Sequence, residues 1–287
     1  MSEAGAPSAF ETFAGQPCVR LRHPGGDTAL VALQGGQVLS WVAGGIERLY
    51  LSPNAVMDGK TAIRGGVPVC FPQFNQRGPL VKHGFARNMP WAAGDGPVDG
   101  ESTSAVFTFV SSEATRALWP HDFVARLAVR LSAGGLRLDF SVDNTGDAAL
   151  EFTLALHTYF RVAEIGGVRL QGLSGRPVWD SVADTHAEQV GDVRFEREFD
   201  CVYQAAAQPL TLRDGAQTLR IAQSANFGQT VVWNPGEALC AKLADMPADG
   251  YRHMLCVEAA QIDAPVAVAA GGHWAGWQQL SAVADAF

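Results

Sequence analysis

Alternating apolar and polar positions along the chain predict β-strands. Between residues 136 and 142, Leu136, Leu138, Phe140 and Val142 alternate with polar residues, a pattern typical of a strand with one buried face. A Gly-Gly turn at 134–135 separates this segment from an apolar run at 123–131, so the two predict an antiparallel hairpin. An Asp-Gly turn predicts a second hairpin within residues 211–221. Short apolar runs predict further strands at 105–110, 150–157, 168–170, 229–233 and 254–259.

Helical signals are few. Ser112 can cap a short helix at 113–118, which Pro120 would end. Many short strands separated by turns predict an all-β fold, a large antiparallel β-sandwich with a few short helices. We find no repeat and no linker, and therefore expect one domain over residues 1–287, with a poorly structured or peripheral segment at 1–16.

Composition excludes several functional classes. About half of the 287 residues are apolar and 17% are charged, enough to fill a core. The net charge of −8 argues against a general binder of nucleic acid or anionic membranes. Residues 1–16 lack Lys and Arg and do not resemble a secretory signal, and no segment has the ~18 consecutive apolar residues of a membrane span. We expect a cytoplasmic protein that is a monomer.

The five cysteines are widely spaced, and no Cys-x-x-Cys pair occurs. A disulfide framework or a structural zinc site is therefore not expected, and buried free thiols are. The histidines also lack a metal-ligand spacing such as His-x-His, so no metal is predicted.

Residues 59–94, which we call the basic window, contain no Asp or Glu. They carry five cations: Lys60, Arg64, Arg77, Lys82 and Arg87. A local charge of +5 in an acidic chain suggests an anion site, and the Gly and Pro residues predict irregular backbone of the kind that often carries binding residues. The Gly-Gly pair at 65–66 allows close backbone approach, and arginines bind phosphate oxygens well. The alternative is a solvated loop whose arginines pair with acids elsewhere. A Walker phosphate loop is absent.

Two titratable residues are candidates for proton transfer. His157 ends the strand predicted at 150–157, on its polar face, and histidine suits proton transfer near neutral pH. Glu258 lies on the face opposite Leu255 and Val257, among apolar neighbours that would raise its pKa and make it a better base. The alternatives are that His157 has a purely structural role and that Glu258 is an exposed glutamate at a strand edge.

Several segments together resemble the aldose 1-epimerase superfamily, and most closely its glucose-6-phosphate 1-epimerase branch. They lie at 64–74, 83–91, 156–160, 172–175, 232–235 and 254–258. The resemblance implies a galactose-mutarotase-type β-sandwich that interconverts the α and β anomers of a sugar without a metal or an organic cofactor. It also implies a small-molecule sugar phosphate as the binding partner.

The resemblance also implies residue roles. Glu258 would take the proton from the anomeric O1 hydroxyl, and His157 would protonate the ring oxygen. The substrate would be bound by Arg64, Lys82 and Arg87 at its 6-phosphate, and by His83 and Asp200 at the sugar. Lys82 stands where the family often has Gln, and Cys201 follows Asp200 where Arg is common, which weakens the Asp200 assignment.

Two other functions remain open. One is an aldose 1-epimerase that acts on unphosphorylated sugars, and the other is a non-catalytic sugar-phosphate sensor on the same fold. The presence of both His157 and Glu258 argues against the sensor, since a binding module needs no acid–base pair.

Overall fold

The structure, a computed structural model, describes residues 8–97 and 101–283. Twenty-one strands are found there: β1 (Ser8–Phe13), β2 (Gln16–Arg22), β3 (Thr28–Ala32), β4 (Val38–Ala43), β5 (Ile46–Glu47), β6 (Val69–Cys70), β7 (Ala92–Asp95), β8 (Ser102–Val110), β9 (Phe123–Ser132), β10 (Gly135–Asn144), β11 (Leu150–Leu156), β12 (Tyr159–Arg161), β13 (Arg169–Gln171), β14 (Pro177–Asp180), β15 (Thr185–Glu188), β16 (Phe199–Gln204), β17 (Leu210–Asp214), β18 (Gln217–Gln223), β19 (Gln229–Asn234), β20 (Met254–Val268) and β21 (His273–Val283). The helices are α1 (Glu113–Leu118) and α2 (Gly236–Cys240), with 3₁₀ turns at Ala86–Asn88, Ile165–Gly167 and Gly250–His253.

The strands form three antiparallel sheets. The first has the order β1-β2-β3-β4-β5, and the second β13-β17-β18-β21-β10-β9-β8-β7. The third has the order β15-β14-β16-β19-β20-β11-β6, and β12 also pairs with β20. The predicted all-β antiparallel sandwich is therefore confirmed.

Aromatic packing joins the second and third sheets. The ring of Phe71 lies 5.6 Å from that of Phe140 on β10 and 5.2 Å from that of Phe152 on β11, between centroids. Phe123 on β9 and Trp119 complete the cluster at 5.6 and 5.7 Å. Burying side chains of this size contributes about 1.5–3 kcal/mol each. Phe71 belongs to the basic window, so this packing holds the window against the sandwich.

The predicted hairpins are present as β9–β10 and β17–β18, and the five other predicted strands are found as β8, β11, β13, β19 and β20. Helix α1 is also confirmed. The Ser112 hydroxyl accepts from the Thr115 N–H, and the Thr115 hydroxyl accepts from the Ser112 N–H in return. Strands β1 to β7, β12, β14 to β16 and β21 were not predicted. Part of the segment expected to be poorly structured or peripheral is the edge strand β1, and residues 1–7 lie outside the described residues.

The basic window is mostly irregular, as predicted. It contributes the edge strand β6 to the third sheet, and Val67 bridges to Val38 on β4 of the first sheet. Gly66 has a φ of +62°, and a side chain there would collide with the carbonyl of Val38 on β4. Gly65 approaches the carbonyl of Tyr50 in the same way. The close approach that the Gly-Gly pair allows is thus to the protein's own backbone. No helix in the described residues is long and apolar enough to cross a membrane.

Candidate active site

His157 and Glu258 meet where β11 ends beside β20. The His157 N–H donates to the Pro68 carbonyl at 3.0 Å, and the next residue's carbonyl accepts from the Val257 N–H at 3.1 Å. These backbone bonds bring His157 Nε2 within 3.2 Å of Glu258 Oε1. Both side chains are buried, with 9% and 1% of their surfaces exposed. The two residues proposed from sequence for proton transfer are therefore direct neighbours.

A buried polar network fixes the backbone on both sides of this contact. The Thr158 hydroxyl lies 2.5 Å from Gln278 Oε1, and Gln278 Nε2 donates to the Val257 carbonyl at 3.1 Å. Thr158 and Gln278 are fully buried. Because such networks rigidify the segments they join, this one holds His157 and Glu258 in register.

Burial controls the protonation of the pair. It raises the pKa of Glu258 well above its ordinary value, and the carboxylate of Asp200 raises it further. It lowers the pKa of His157, with His83, Arg87 and Arg64 acting in the same direction. The favoured state is a neutral carboxylic acid beside a neutral imidazole, with one proton shared in the 3.2 Å contact.

Two polar atoms of the pair are buried and have no hydrogen-bond partner: His157 Nδ1 and Glu258 Oε2. Buried polar atoms without partners are rare and call for a ligand or a function. Aromatic rings enclose the imidazole, since Tyr159 stacks on it at 4.8 Å and Trp233 meets it edge-on at 6.0 Å.

The pair opens into a cavity of about 220 Å³, which is close to the lower end of the roughly 300–1,000 Å³ typical of small-molecule sites. Every candidate site residue from the sequence lines this cavity: Arg64, Lys82, His83, Arg87, His157, Asp200 and Glu258. The lining also includes residues that the sequence reading did not single out: Phe74, Asn75, Tyr159, Glu198, Val231, Trp233, Leu239 and Leu243.

Four of the five cations of the basic window separate into two groups. Arg64 Nε lies 3.1 Å from Asp245 Oδ2, and its Nη1 donates to the Tyr159 hydroxyl at 3.1 Å. Arg77 lies outside the cavity, 4.8 Å above the Trp179 ring and 3.9 Å from Asp263. Both arginines therefore pair with acids that lie far away along the chain.

Lys82 and Arg87 form the second group. Arg87 Nη2 donates to the Lys82 carbonyl at 2.9 Å, and Arg87 Nε is buried without a partner. Within residues 8–97 and 101–283, neither side chain forms an ion pair. Both therefore present positive charge to the cavity without a salt-bridge partner.

His83 joins the basic window to the pair. Its ring meets that of His157 edge-on at 5.4 Å, and its Nδ1 accepts from the Asn75 N–H at 3.3 Å. Burial, with Arg87 and Lys82 nearby, lowers the pKa of His83 to about 2. His83 is therefore a neutral imidazole at neutral pH.

Because His83 resists protonation in the folded chain, we expect the free energy of unfolding to decrease in acid. Below pH 6.5 the unfolded chain takes up a proton on residue 83 and the folded chain does not until about pH 2, so stability decreases as pH falls. The slope from this group approaches about 1.4 kcal/mol per pH unit. Chemical denaturation at pH 7, 6 and 5 should show a shallower decline in His83→Asn, since Asn tolerates the φ of +66° and has no charge to gain. An equal decline in both proteins would contradict the assignment.

Asp200 lies on β16, which pairs with β19, and its side chain reaches the cavity. Ser181 holds its backbone carbonyl through two hydrogen bonds of 2.8 and 3.0 Å. Burial raises the pKa of Asp200, against the opposing effects of Ser181 and Lys82. Cys201 is buried beside it.

Asp245, the partner of Arg64, was missed from sequence. It lies 181 residues away along the chain, in an irregular segment after α2. A partly buried arginine needs hydrogen-bond acceptors, but no local pattern identifies which distant residue supplies them. A further grouping was also missed: His157, Cys256 and Glu258 place one ligand atom each within 4.8 Å of one another.

Comparisons with known proteins agree on one family. The aldose 1-epimerase family model matches residues 17–281. A protein of Cenchrus ciliaris that is provisionally assigned as a glucose-6-phosphate 1-epimerase is 35% identical, over 98% of this chain and 90% of its own. An Escherichia coli protein with the same provisional assignment is 39% identical, over 81% and 79%.

A solved structure also supports membership of this family. The crystal structure of a provisionally assigned mutarotase from Salmonella typhimurium superimposes with a TM-score of 0.87 at 30% identity, over 99% of this chain and 96% of that one. The resemblance noted from the sequence motifs is confirmed over nearly the whole chain. The chain is an epimerase and belongs to the aldose 1-epimerase family.

Proposed function

We propose that this protein interconverts the α and β anomers of a hexose 6-phosphate, with glucose 6-phosphate as its substrate. The observation that carries the proposal is the composition of one cavity. It contains a buried carboxyl–imidazole pair and, beside that pair, the three cations Arg64, Lys82 and Arg87. The pair suits proton transfer to and from a sugar, and the cations suit a phosphate.

In the proposed ring opening, Glu258 takes the proton of the O1 hydroxyl while the C1–O5 bond breaks and C1 becomes a carbonyl. O5 takes a proton from His157 Nε2. After rotation about C1–C2, the same transfers in reverse close the ring on the other face. The pair gives one proton and receives one, so its total charge is unchanged and no cofactor is required.

The neighbouring positions of the two groups support this exchange. Opening begins with the shared proton on His157 and ends with a proton on Glu258. The pair before ring opening and the pair after it therefore differ only in which of the two groups, 3.2 Å apart, carries the proton. Enzymes commonly place the pKa values of an acid and a base in this way through burial and neighbouring charges.

We assign the 6-phosphate to Lys82 and Arg87, whose charges are unpaired, with Arg64 held in place by Asp245 and Tyr159. His83 would donate a hydrogen bond to a sugar oxygen from Nε2, since its Nδ1 already accepts one from the backbone. Asp200 would accept a hydrogen bond from a sugar hydroxyl. A cytoplasmic location and a monomeric state remain predictions.

Anomer exchange measured by NMR tests the substrate class. Two charge-assisted hydrogen bonds at about 1.5–3 kcal/mol each should raise kcat/KM for glucose 6-phosphate over glucose by about 10²- to 10⁴-fold. The control is the exchange of each sugar without enzyme, which is subtracted. Equal values for the two sugars would instead support an aldose 1-epimerase of free sugars. Binding of glucose 6-phosphate without accelerated exchange would support a sensor.

A further inference from the structure

We propose that His157, Cys256 and Glu258 form an inhibitory site for Zn²⁺ at the wall of the catalytic cavity. The three side chains are buried, and one ligand atom from each lies within 4.8 Å of the others. Imidazole nitrogen, thiolate sulfur and carboxylate oxygen are the ligands that zinc takes in proteins. This inhibition rests on the proposed catalytic roles of His157 and Glu258, whereas metal binding itself does not.

Strand geometry produces the cluster. Cys256 and Glu258 are two residues apart on β20, so their side chains point to the same face of the sheet. Tyr159 pairs with Cys256, and His157 lies two residues before Tyr159, on the same face and opposite Glu258. The three ligands therefore come from two adjacent segments that the sheet holds rigidly.

The separations are close to those that a tetrahedral ion requires. Zinc bonds of about 2.0–2.3 Å place neighbouring ligand atoms about 3.3–3.6 Å apart. His157 Nε2 and Glu258 Oε1 are already 3.2 Å apart. To close the remaining separations, side-chain rotations must move the ligand atoms by about one ångström. The fourth position would face the cavity, as in zinc sites that keep an open position.

Two further observations point to a ligand. Glu258 Oε2 is buried and has no hydrogen-bond partner, so the carboxyl group has unused capacity for an ion. Since His157 and Glu258 line the cavity, an ion can enter by the route of the substrate. Arg64, Lys82 and Arg87 oppose a cation there, while Asp200 and Glu198 favour one. The bound ion would occupy both proton-transfer groups and exclude the sugar.

Dependence on Cys256 would distinguish inhibition at this site from nonspecific inhibition by metal ions. It does not line the cavity and has no part in the proposed proton transfers. We therefore expect Cys256→Ser and Cys256→Ala to keep wild-type exchange. Since even partners in the second layer of metal sites change affinity about 10- to 100-fold, loss of this direct ligand should raise the Zn²⁺ concentration for half-inhibition at least about tenfold.

The test is a buffered Zn²⁺ series in the exchange assay. The wild type should show inhibition that raises KM, leaves kcat unchanged and is reversed by EDTA. Cys70→Ser is the matched control, since Cys70 is a buried cysteine on the same sheet outside the cluster, and it should be inhibited like the wild type. Equal inhibition of the wild type and both Cys256 variants would overturn the proposal, as would no inhibition at all.

A second measurement does not depend on activity or on the proposed function. Co²⁺ added to the wild type should produce the near-ultraviolet charge-transfer absorption of a cobalt–thiolate bond. Cys256→Ser should lose this absorption while Cys70→Ser retains it. If both variants retain it, Cys256 is not a ligand. If the wild type lacks anomer exchange but shows the cobalt signal, the metal site stands and the catalytic assignment fails.

Discussion

Glu258→Gln should lower kcat for the exchange of glucose 6-phosphate anomers by about 10²- to 10⁴-fold, the range typical of a lost general acid or base. The amide has nearly the same shape but cannot take the O1 proton. Substrate binding should stay measurable by titration calorimetry, because the proposed phosphate contacts at Lys82 and Arg87 are untouched. Stability should be unchanged or higher, since a buried ionisable group is costly.

Glu151→Gln is the matched control for this variant. Glu151 is an exposed carboxylate on β11, in the same sheet, and its substitution should leave kcat unchanged. Near-normal turnover of Glu258→Gln would show that another residue is the base. Loss of binding and of thermal stability together with turnover would assign Glu258 a structural role instead.

Arg87→Ala should raise KM for glucose 6-phosphate by about 10- to 150-fold, the equivalent of one charge-assisted hydrogen bond of about 1.5–3 kcal/mol. KM for glucose should change little, because glucose has no phosphate group for Arg87 to contact. The ratio of kcat/KM for the two sugars is the measurement. It separates recognition of the phosphate from a general loss of activity.

Arg77→Ala is the matched control for Arg87→Ala. Arg77 belongs to the same basic window but lies outside the cavity, against Trp179 and Asp263, so its loss should leave the ratio unchanged. Arg64→Ala should behave differently from both, because it also leaves Asp245 without its partner and should weaken exchange of both sugars. A uniform loss on both sugars in Arg87→Ala would indicate a structural role for the loop.

Strands with one buried face could be predicted from sequence because their alternation is local. The hairpin β9–β10 and strand β8 are examples. Strand β3 was missed because four of its five residues are buried and no alternation remains. Strand β2 does alternate, with Val19 and Leu21 buried and Arg20 and Arg22 not, and this signal was overlooked.

Pairing of charges could not be predicted. The absence of acids in the basic window is visible in the sequence, but whether each cation is free depends on distant residues. Arg64 is paired with Asp245 and Arg77 with Asp263, while Lys82 and Arg87 have no such partner in the described residues. A count of charges along the sequence does not distinguish the cations that have an acidic partner from those that have none.

The sequence by itself determined the all-β class, the family and the residue types that the site requires. Only the tertiary structure decided that His157 and Glu258 share a 3.2 Å contact, that Cys256 lies beside them, and which cations of the basic window face the same cavity. The physical reason is the range of the interactions. Alternation and motifs act over a few residues, whereas the basic window and β20 lie almost two hundred residues apart and meet only when the third sheet has formed.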